Sequence, residues 1–347
     1  MKGLLLAAAL ALATPVPVAG APAPSPLRRA AQAPGVVAYR GDQLVTVWLG
    51  KTTQVTLVHV EHDPRRWTRL EYRPVGLDRR WVILRRGDEE IRYDPTTRRG
   101  VRVPRRADEE PEETFIAVHW PLLEANYHIA TTPVSVLGRP ADRVELRPRY
   151  ADRPTRRLSV DRATGIVLRS ERISPDGRLI QLTAFLSFDL LSPGWASTNP
   201  VPTGLRLTRL AGTTSADAAA RRLAIRPVEV ATPLGFRRVA DGFVDAPTPL
   251  WETTYSDGVS TLVVSRTPGT VPRPAAGSRR VDRAGGPVWV HESGLKHAVH
   301  WAYGGWLITM SGEVSPGSLL AAADRTGIAS PPRVLDRLLS WLQEPRP

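Results

Sequence analysis

The stretch from Arg156 to Asp189, RRLSVDRATGIVLRSERISPDGRLIQLTAFLSFD, decides the fold class. Three β-prone runs, Arg156 to Asp161, Ile166 to Arg172 and Arg178 to Asp189, are joined by Arg162-Ala163-Thr164-Gly165 and Ser174-Pro175-Asp176-Gly177. Short connectors rich in Gly, Pro and Asp between such runs predict an antiparallel meander. In the last run Ile180, Leu182, Ala184, Leu186 and Phe188 recur at period two, opposite Gln181, Thr183 and Ser187. That alternation predicts a sheet with one buried and one more polar side.

Upstream, Leu44 to Leu49 and Gln54 to Val60 flank Gly50-Lys51-Thr52-Thr53 and predict a hairpin. Strands follow at Arg66 to Tyr72, Trp81 to Arg85 and Glu90 to Tyr93, stopping at Asp94-Pro95. The acidic run from Ala107 to Glu113 reads as a solvated loop among arginines, and Thr114 to Tyr127 as a short helix that Pro121 kinks or restarts. Pro and Gly cluster from Ser192 to Gly204, which marks a boundary. Beyond it the pattern predicts a helix at Ser215 to Leu223 and strands at Trp251 to Tyr255 and Val259 to Ser265 around the turn Ser256-Asp257-Gly258. Three more strands are expected at Pro287 to Glu292, Val299 to Tyr303 and Trp306 to Ser311, then a helix opened by Ser315-Pro316 and ended before Gly327. Leu335, Leu338, Leu339 and Leu342 place an apolar stripe on a final short helix.

Composition narrows the chemistry. The 347 residues contain no Cys, which excludes a disulfide scaffold, a thiol nucleophile and Cys-ligated metals. The net charge of +13 comes almost wholly from arginine, since Lys2, Lys51 and Lys296 are the only lysines; a GC-rich codon bias accounts for this as well as selection does, and no nucleic-acid partner is read from it. Met1-Lys2, the apolar run Leu4 to Ala13 and the small residues through Ala21 have the layout of a secretory signal peptide. The expected organisation is a signal peptide (1–21), a disordered Ala- and Pro-rich lead-in (22–35), a first domain (36–191), a linker (192–214), a smaller α+β domain (215–330) and a C-terminal helix (331–347). No nucleophile elbow, phosphate loop, zinc helix or dinucleotide fingerprint is present. His59 and His62, three apart on a strand, point to opposite faces, as do His297 and His300, so no metal site is expected. Neither a cofactor nor enzymatic activity is expected.

Ten tryptophans remain, and Trp48, Trp67, Trp81 and Trp120 fall in the first domain. They either fill the core or wall a cavity for an acyl chain. Arg66, Arg69 and Arg80 lie on or beside the same strands, and guanidinium suits an anionic head group. Those seven residues form the candidate lipid-binding set. In the second domain Tyr255, Asp257 and Trp306 are the candidate partner-binding residues.

The order of segments resembles a family. Tyr39-Arg40-Gly41, then Leu84 to Glu89, then Leu137-Gly138-Arg139-Pro140-Ala141-Asp142-Arg143-Val144-Glu145-Leu146, are similar to the N-terminal domain of the RseB/MucB sigma-E regulatory proteins. Leu158 to Arg169 resembles that domain's last strands, and Pro233-Leu234-Gly235-Phe236, Tyr255 to Gly258 and Met310 to Val314 resemble the family's C-terminal domain. The resemblance implies a mostly antiparallel β half-barrel covered by helices, like the lipoprotein carriers LolA and LppX, plus a smaller mixed α+β domain. It implies a periplasmic protein, membrane-proximal but not integral, that binds the extracytoplasmic segment of an anti-sigma factor. An anionic lipid or a lipoprotein is then a second partner, the envelope-stress signal. The competing reading is a periplasmic carrier of lipoproteins or lipids.

Overall fold

The computed structural model describes residues 25–87, 89–104, 119–196, 200–209, 213–214, 229–244, 249–269, 277–283, 286–292 and 296–328. The expected signal peptide, the acidic run, the helix at 215–223 and the final helix lie outside these residues. Strands β1 (Ala38–Leu49), β2 (Thr52–His62), β3 (Thr68–Pro74), β4 (Trp81–Arg86), β5 (Glu89–Asp94) and β6 (Arg99–Pro104) form an antiparallel run. After helix α2 (Trp120–Asn126) come β7 (Tyr127–Val136), β8 (Arg139–Pro148), β9 (Thr155–Asp161), β10 (Val167–Ile173) and β11 (Leu179–Leu191). β11 returns to pair with β1, and β12 (Arg206–Arg209) adds in parallel to β6. The result is a twelve-stranded sheet in the order β12-β6-β5-β4-β3-β2-β1-β11-β10-β9-β8-β7, whose two ends are not paired to one another, so it is open.

The second sheet has eight strands, β13 (Thr213–Thr214), β14 (Arg237–Val244), β15 (Leu250–Ser256), β16 (Thr261–Pro268), β17 (Arg279–Arg283), β18 (Gly286–Glu292), β19 (His297–Tyr303) and β20 (Trp306–Gly312). Their order is β13-β14-β15-β16-β20-β19-β18-β17, and helix α3 (Pro316–Ala323) packs on one face. Ser315 caps α3 by accepting from the Ser318 amide at 3.2 Å, with Pro316 in the first turn, as its sequence predicts. Among the described residues the architecture is therefore mostly antiparallel β-sheet with few helices.

Three expectations change. Residues 25–35, expected to lack structure, form α1 (Pro26–Gln32) and a 3-10 turn (Ala33–Gly35). Ser25 accepts from the Arg28 amide, Pro26 opens the helix, and Leu27, Ala30 and Ala33 are buried against the sheet. Burial of this three-residue stripe stabilises a helix too short to persist alone.

Second, the period-two face of β11 breaks at Leu186. The register skips from Asp42 opposite Ser187 to Gln43 opposite Phe185, so Leu186 bulges out and is exposed. Phe185 and Phe188 thereby share one face, 5.2 Å apart, and both meet Tyr39. A bulge reverses the alternation on its far side. Gly41 makes room for it, because a Cβ there would sit 2.2 Å from the Ser187 carbonyl oxygen.

Third, the expected linker is anchored to the first sheet at Ala196 and along β12, while 192–195 and 202–204 stay exposed. The Asp63 carboxylate accepts from the amides of Gly194 (2.8 Å) and Ala196 (3.1 Å). Ala196 then joins Trp67, Val82, Leu84, Ile91 and Tyr93 in one core cluster, with Leu205 and Leu207 against it. Protein carbonyls and amides buried this way need partners, and Asp63 together with β6 supplies them.

Candidate functional site

Two concavities and one buried joint set out the chemistry of the described residues. The first concavity, about 560 Å³, lies between α1 and the sheet face carrying Val60, Leu70 and Phe185. Trp67 forms part of its wall, and Arg66, Arg85 and Arg86 bring positive charge to it. His62 ties the α1 segment down: its Nε2–H donates to the Pro34 carbonyl (2.8 Å), which leaves Nδ1 to accept from the Thr68 hydroxyl (2.7 Å). Burial pushes the His62 pKa below the ordinary imidazole value, which keeps this neutral pattern.

The second concavity, about 780 Å³, lies between the two sheets. Its apolar wall includes Trp48, Pro154, Leu179, Ile180 and Pro316. Asp152, Asp176, Glu292 and Glu313 line it as well, together with Arg178 and His297, and the carboxylates are matched by arginines: Asp176 by Arg178, and Glu313 by Arg156 and Arg172.

Beside that cleft the sheets are joined by buried polar groups. Asp257, on the tight connection between β15 and β16, is fully buried. Its Oδ2 accepts from Tyr127 Oη (2.9 Å) and from the Arg153 guanidinium (2.9 Å), while Oδ1 accepts from the Val259 and Ser260 amides. Burial pushes the Asp257 carboxyl up, against the pull of Arg153 and those amides. Arg153 also donates to the Leu234 carbonyl and stacks between Tyr150 and Phe236. Asn126 donates to the carbonyls of Gly235 and Asp257. Gly258, at φ +104°, lets the turn press on α2, since a Cβ there would lie 2.3 Å from the Leu123 nitrogen. A second bridge runs from Glu313, just past β20, to Arg156 and Arg172, at 2.7 Å each.

The sequence-derived sites fare unevenly. Of the lipid set, Trp67 and Arg66 line the cavity under α1, whereas Trp48 lines the cleft. Trp81 stacks on Tyr72 (5.2 Å, 6°), and Trp120 packs under Arg28 and donates its indole N–H to Glu124. Arg69 pairs with Glu71 and Glu61, and Arg80 lies 3.9 Å from Glu71. These two arginines do not converge on the cavity: Leu70 faces it, so Arg69 and Glu71, its neighbours, point to the other side of the sheet. The partner set is corrected outright. Tyr255 and Trp306 are 7% exposed within the core under α3, Trp306 edge-on to Trp251 at 5.1 Å, and Asp257 is sealed in the joint. None of the three presents a surface to a partner. Tyr39 and the α1 residues Ala30 and Ala31 were not anticipated in the cavity wall, although Ser25-Pro26 followed by Leu27 and Ala30 carries the cap and the spacing that betray a helix.

The carboxylates give a pH dependence with a definite sign. In Asp63, Glu71, Glu90 and Asp161 burial alone would raise the pKa, yet backbone amides (Asp63), arginines (Glu71, Glu90), or Arg139 with Thr164 (Asp161) overcome it, and each carboxyl titrates below its ordinary value. A folded-state pKa below the unfolded one contributes stability that is present above the unfolded value and lost as pH falls through the folded one. Asp257, shifted upward, has the opposite slope but is one group against four. Buried imidazoles of His62, His297 and His300, also held below their ordinary value, resist protonation, so the urea midpoint is expected to decline already between pH 7 and about 5 and to fall further below about pH 4, the ordinary carboxylate range. A midpoint unchanged at pH 3 would contradict these assignments.

Comparison with known proteins agrees with this architecture. A family model described as the MucB/RseB N-terminal domain matches residues 23–204. No curated relative matches the sequence. A structure of the Pseudomonas aeruginosa MucA/MucB complex aligns at 18% identity and a TM-score of 0.55, covering 86% of this chain and 95% of that one. A structure of MucB in complex with MucA(peri) aligns at 18% identity and a TM-score of 0.54, covering 86% and 96%. At that identity the likeness is one of fold. With the family model spanning more than half of its length, the chain belongs to the MucB/RseB N-terminal domain family.

Proposed function

We propose that this chain is an exported, periplasmic regulatory protein that holds the extracytoplasmic segment of an anti-sigma factor in the cleft between its sheets. The cleft carries the reading: it is large enough for several side chains, and its apolar wall suits a segment bearing apolar residues. Two similarly folded structures are of MucB together with MucA, which supports the same class of partner. Titration calorimetry with the periplasmic segment of an anti-sigma factor from the same organism tests it. Trp48→Ala and Ile180→Glu, both in the cleft wall, are expected to weaken binding by about tenfold or more, as truncations of anchoring contacts do. Leu186→Ala, on the exposed bulge, should leave it unchanged. Equal affinity across all three variants would reject the cleft.

The cavity under α1 supports the sensing half of the reading, since an acyl chain against Trp67 and Phe185 leaves its anionic head group near Arg66 and Arg86. Titration with dodecyl phosphate is expected to shift tryptophan emission in the parent and not in Trp67→Ala, and to displace the bound segment. Binding without displacement would favour the carrier reading instead.

A further inference from the structure

Every open sheet has edges, and among the described residues three of the four are blunted. β12 has four residues and β13 two, while β17 has five, of which Arg279, Arg280, Asp282 and Arg283 are charged. Short or charged edges resist pairing with other chains. β7 is different. It is ten residues long, pairs among the described residues only with β8, and carries no Asp, Glu, Lys or Arg. His128 to Pro133 are all exposed.

Pro133 orients the free row. It sits opposite Asp142 in an intact ladder, and proline is accommodated in a strand where its nitrogen faces away from the partner. Ile129 and Thr131 share its parity, so their N–H and C=O groups face outward with it. The uninterrupted template is thus His128 to Thr132.

The two faces beside that template differ. Opposite His128, Ala130 and Thr132 stand Arg147, Glu145 and Arg143 of β8, with Arg157 of β9 behind Glu145 and Arg149 against His128. Four arginines meet one carboxylate there, and Arg143 and Arg149 have no ion pair among the described residues. The other face is apolar, with Ile129 40% exposed over the buried Leu146. Two copies of this edge would bring arginine against arginine, which like charges across strands disfavour.

We propose that the free edge of β7 docks an extended segment of a partner protein in which acidic and apolar residues alternate, added as a thirteenth strand. Acidic side chains of that strand lie over Arg143 and Arg147, and apolar ones beside Ile129; main-chain bonds to Ile129 and Thr131 supply the affinity. This surface is separate from the cleft and does not depend on it.

A fluorescein-labelled octapeptide alternating Val and Glu is the probe, followed by anisotropy with the whole protein. It is expected to bind saturably, and more weakly as salt rises. Arg143→Glu with Arg147→Glu should weaken it by about tenfold, as reversing contacting charges does. Thr131→Pro, in the orientation that Pro133 already tolerates, should abolish it, whereas Thr131→Ala, which keeps the amide, should bind as the parent does. Near-ultraviolet circular dichroism reports whether each variant stays folded. The proposal is overturned by absent binding, by equal binding of the Val-Lys octapeptide, or by undiminished binding to Thr131→Pro. It is equally overturned by a dimer of the parent that Thr131→Pro splits, which would make a second copy the occupant.

Discussion

Asp257→Ala is expected to lower the free energy of unfolding by about 3–5 kcal/mol, the range for removing one partner of a buried ion pair. The carboxylate is wholly buried and accepts from Arg153, Tyr127 and the amides of Val259 and Ser260. Alanine fills none of these roles, and the Arg153 guanidinium, itself 2% exposed, keeps its charge without the carboxylate. Urea unfolding measures the loss. Adding Arg153→Met to Asp257→Ala should recover a large part of it, because replacing both members of a buried pair by apolar groups costs far less than removing one. Hydrogen exchange localises the effect: the amides of Leu123 and Tyr127 should open in the single variant before those of β1 and β2. A change within about 0.5 kcal/mol, the scale of an ordinary surface substitution, would show that Asp257 does not hold the sheets together.

That residue also marks how far the sequence could be read. Ser256-Asp257-Gly258 announces a tight turn, and the turn is there, with Gly258 at positive φ. As a candidate partner-binding residue Asp257 is misplaced, because the structure buries it. Asp and Gly favour turns whether the turn meets water or another sheet, and only the docking of α2 and Arg153 decides which. Tyr255 and Trp306 failed for the converse reason: a large aromatic on a strand reads equally as core or as a binding surface until the helix covering that face is placed.

Local signals served well elsewhere. The meander expected at 156–189 appears as β9, β10 and β11 with ends shifted by a residue or two, because alternation and turn chemistry act over a few residues. What escaped was set at long range. The parallel pairing of β12 with β6 joins residues about a hundred apart and has no pattern of its own, and the bulge at Leu186 arises where β11 must follow the twist of β1. In the candidate site, Trp67 and Arg66 were found because they neighbour one another in sequence. Phe185 and Ala30 meet them only through the fold.

Glu313→Ala carries the second large effect, by a different physical route. Arg156 on β9 and Arg172 on β10 are directly opposite one another in the ladder, a placement in which like charges repel. Glu313 resolves the conflict by reaching from the second sheet to give one carboxylate oxygen to each, and all three side chains are at most 8% exposed. Its removal takes from both cations the carboxylate they share, in a site that water barely enters, so a loss of about 3–5 kcal/mol is expected here as well. The distinguishing sign is repulsion. If it operates, Arg172→Met in the Glu313→Ala background should raise stability, although the same change in the parent, which strips Glu313 of a partner, should lower it. A coupling of that sign between residues in contact is what a double-mutant cycle resolves. Glu313 also lines the cleft, but both its oxygens are given to Arg156 and Arg172, so the same variant should weaken the bound segment only through the loosened joint, and Arg172→Met in that background should restore stability and affinity together. Recovery of stability alone would mean that Glu313 contacts the segment directly.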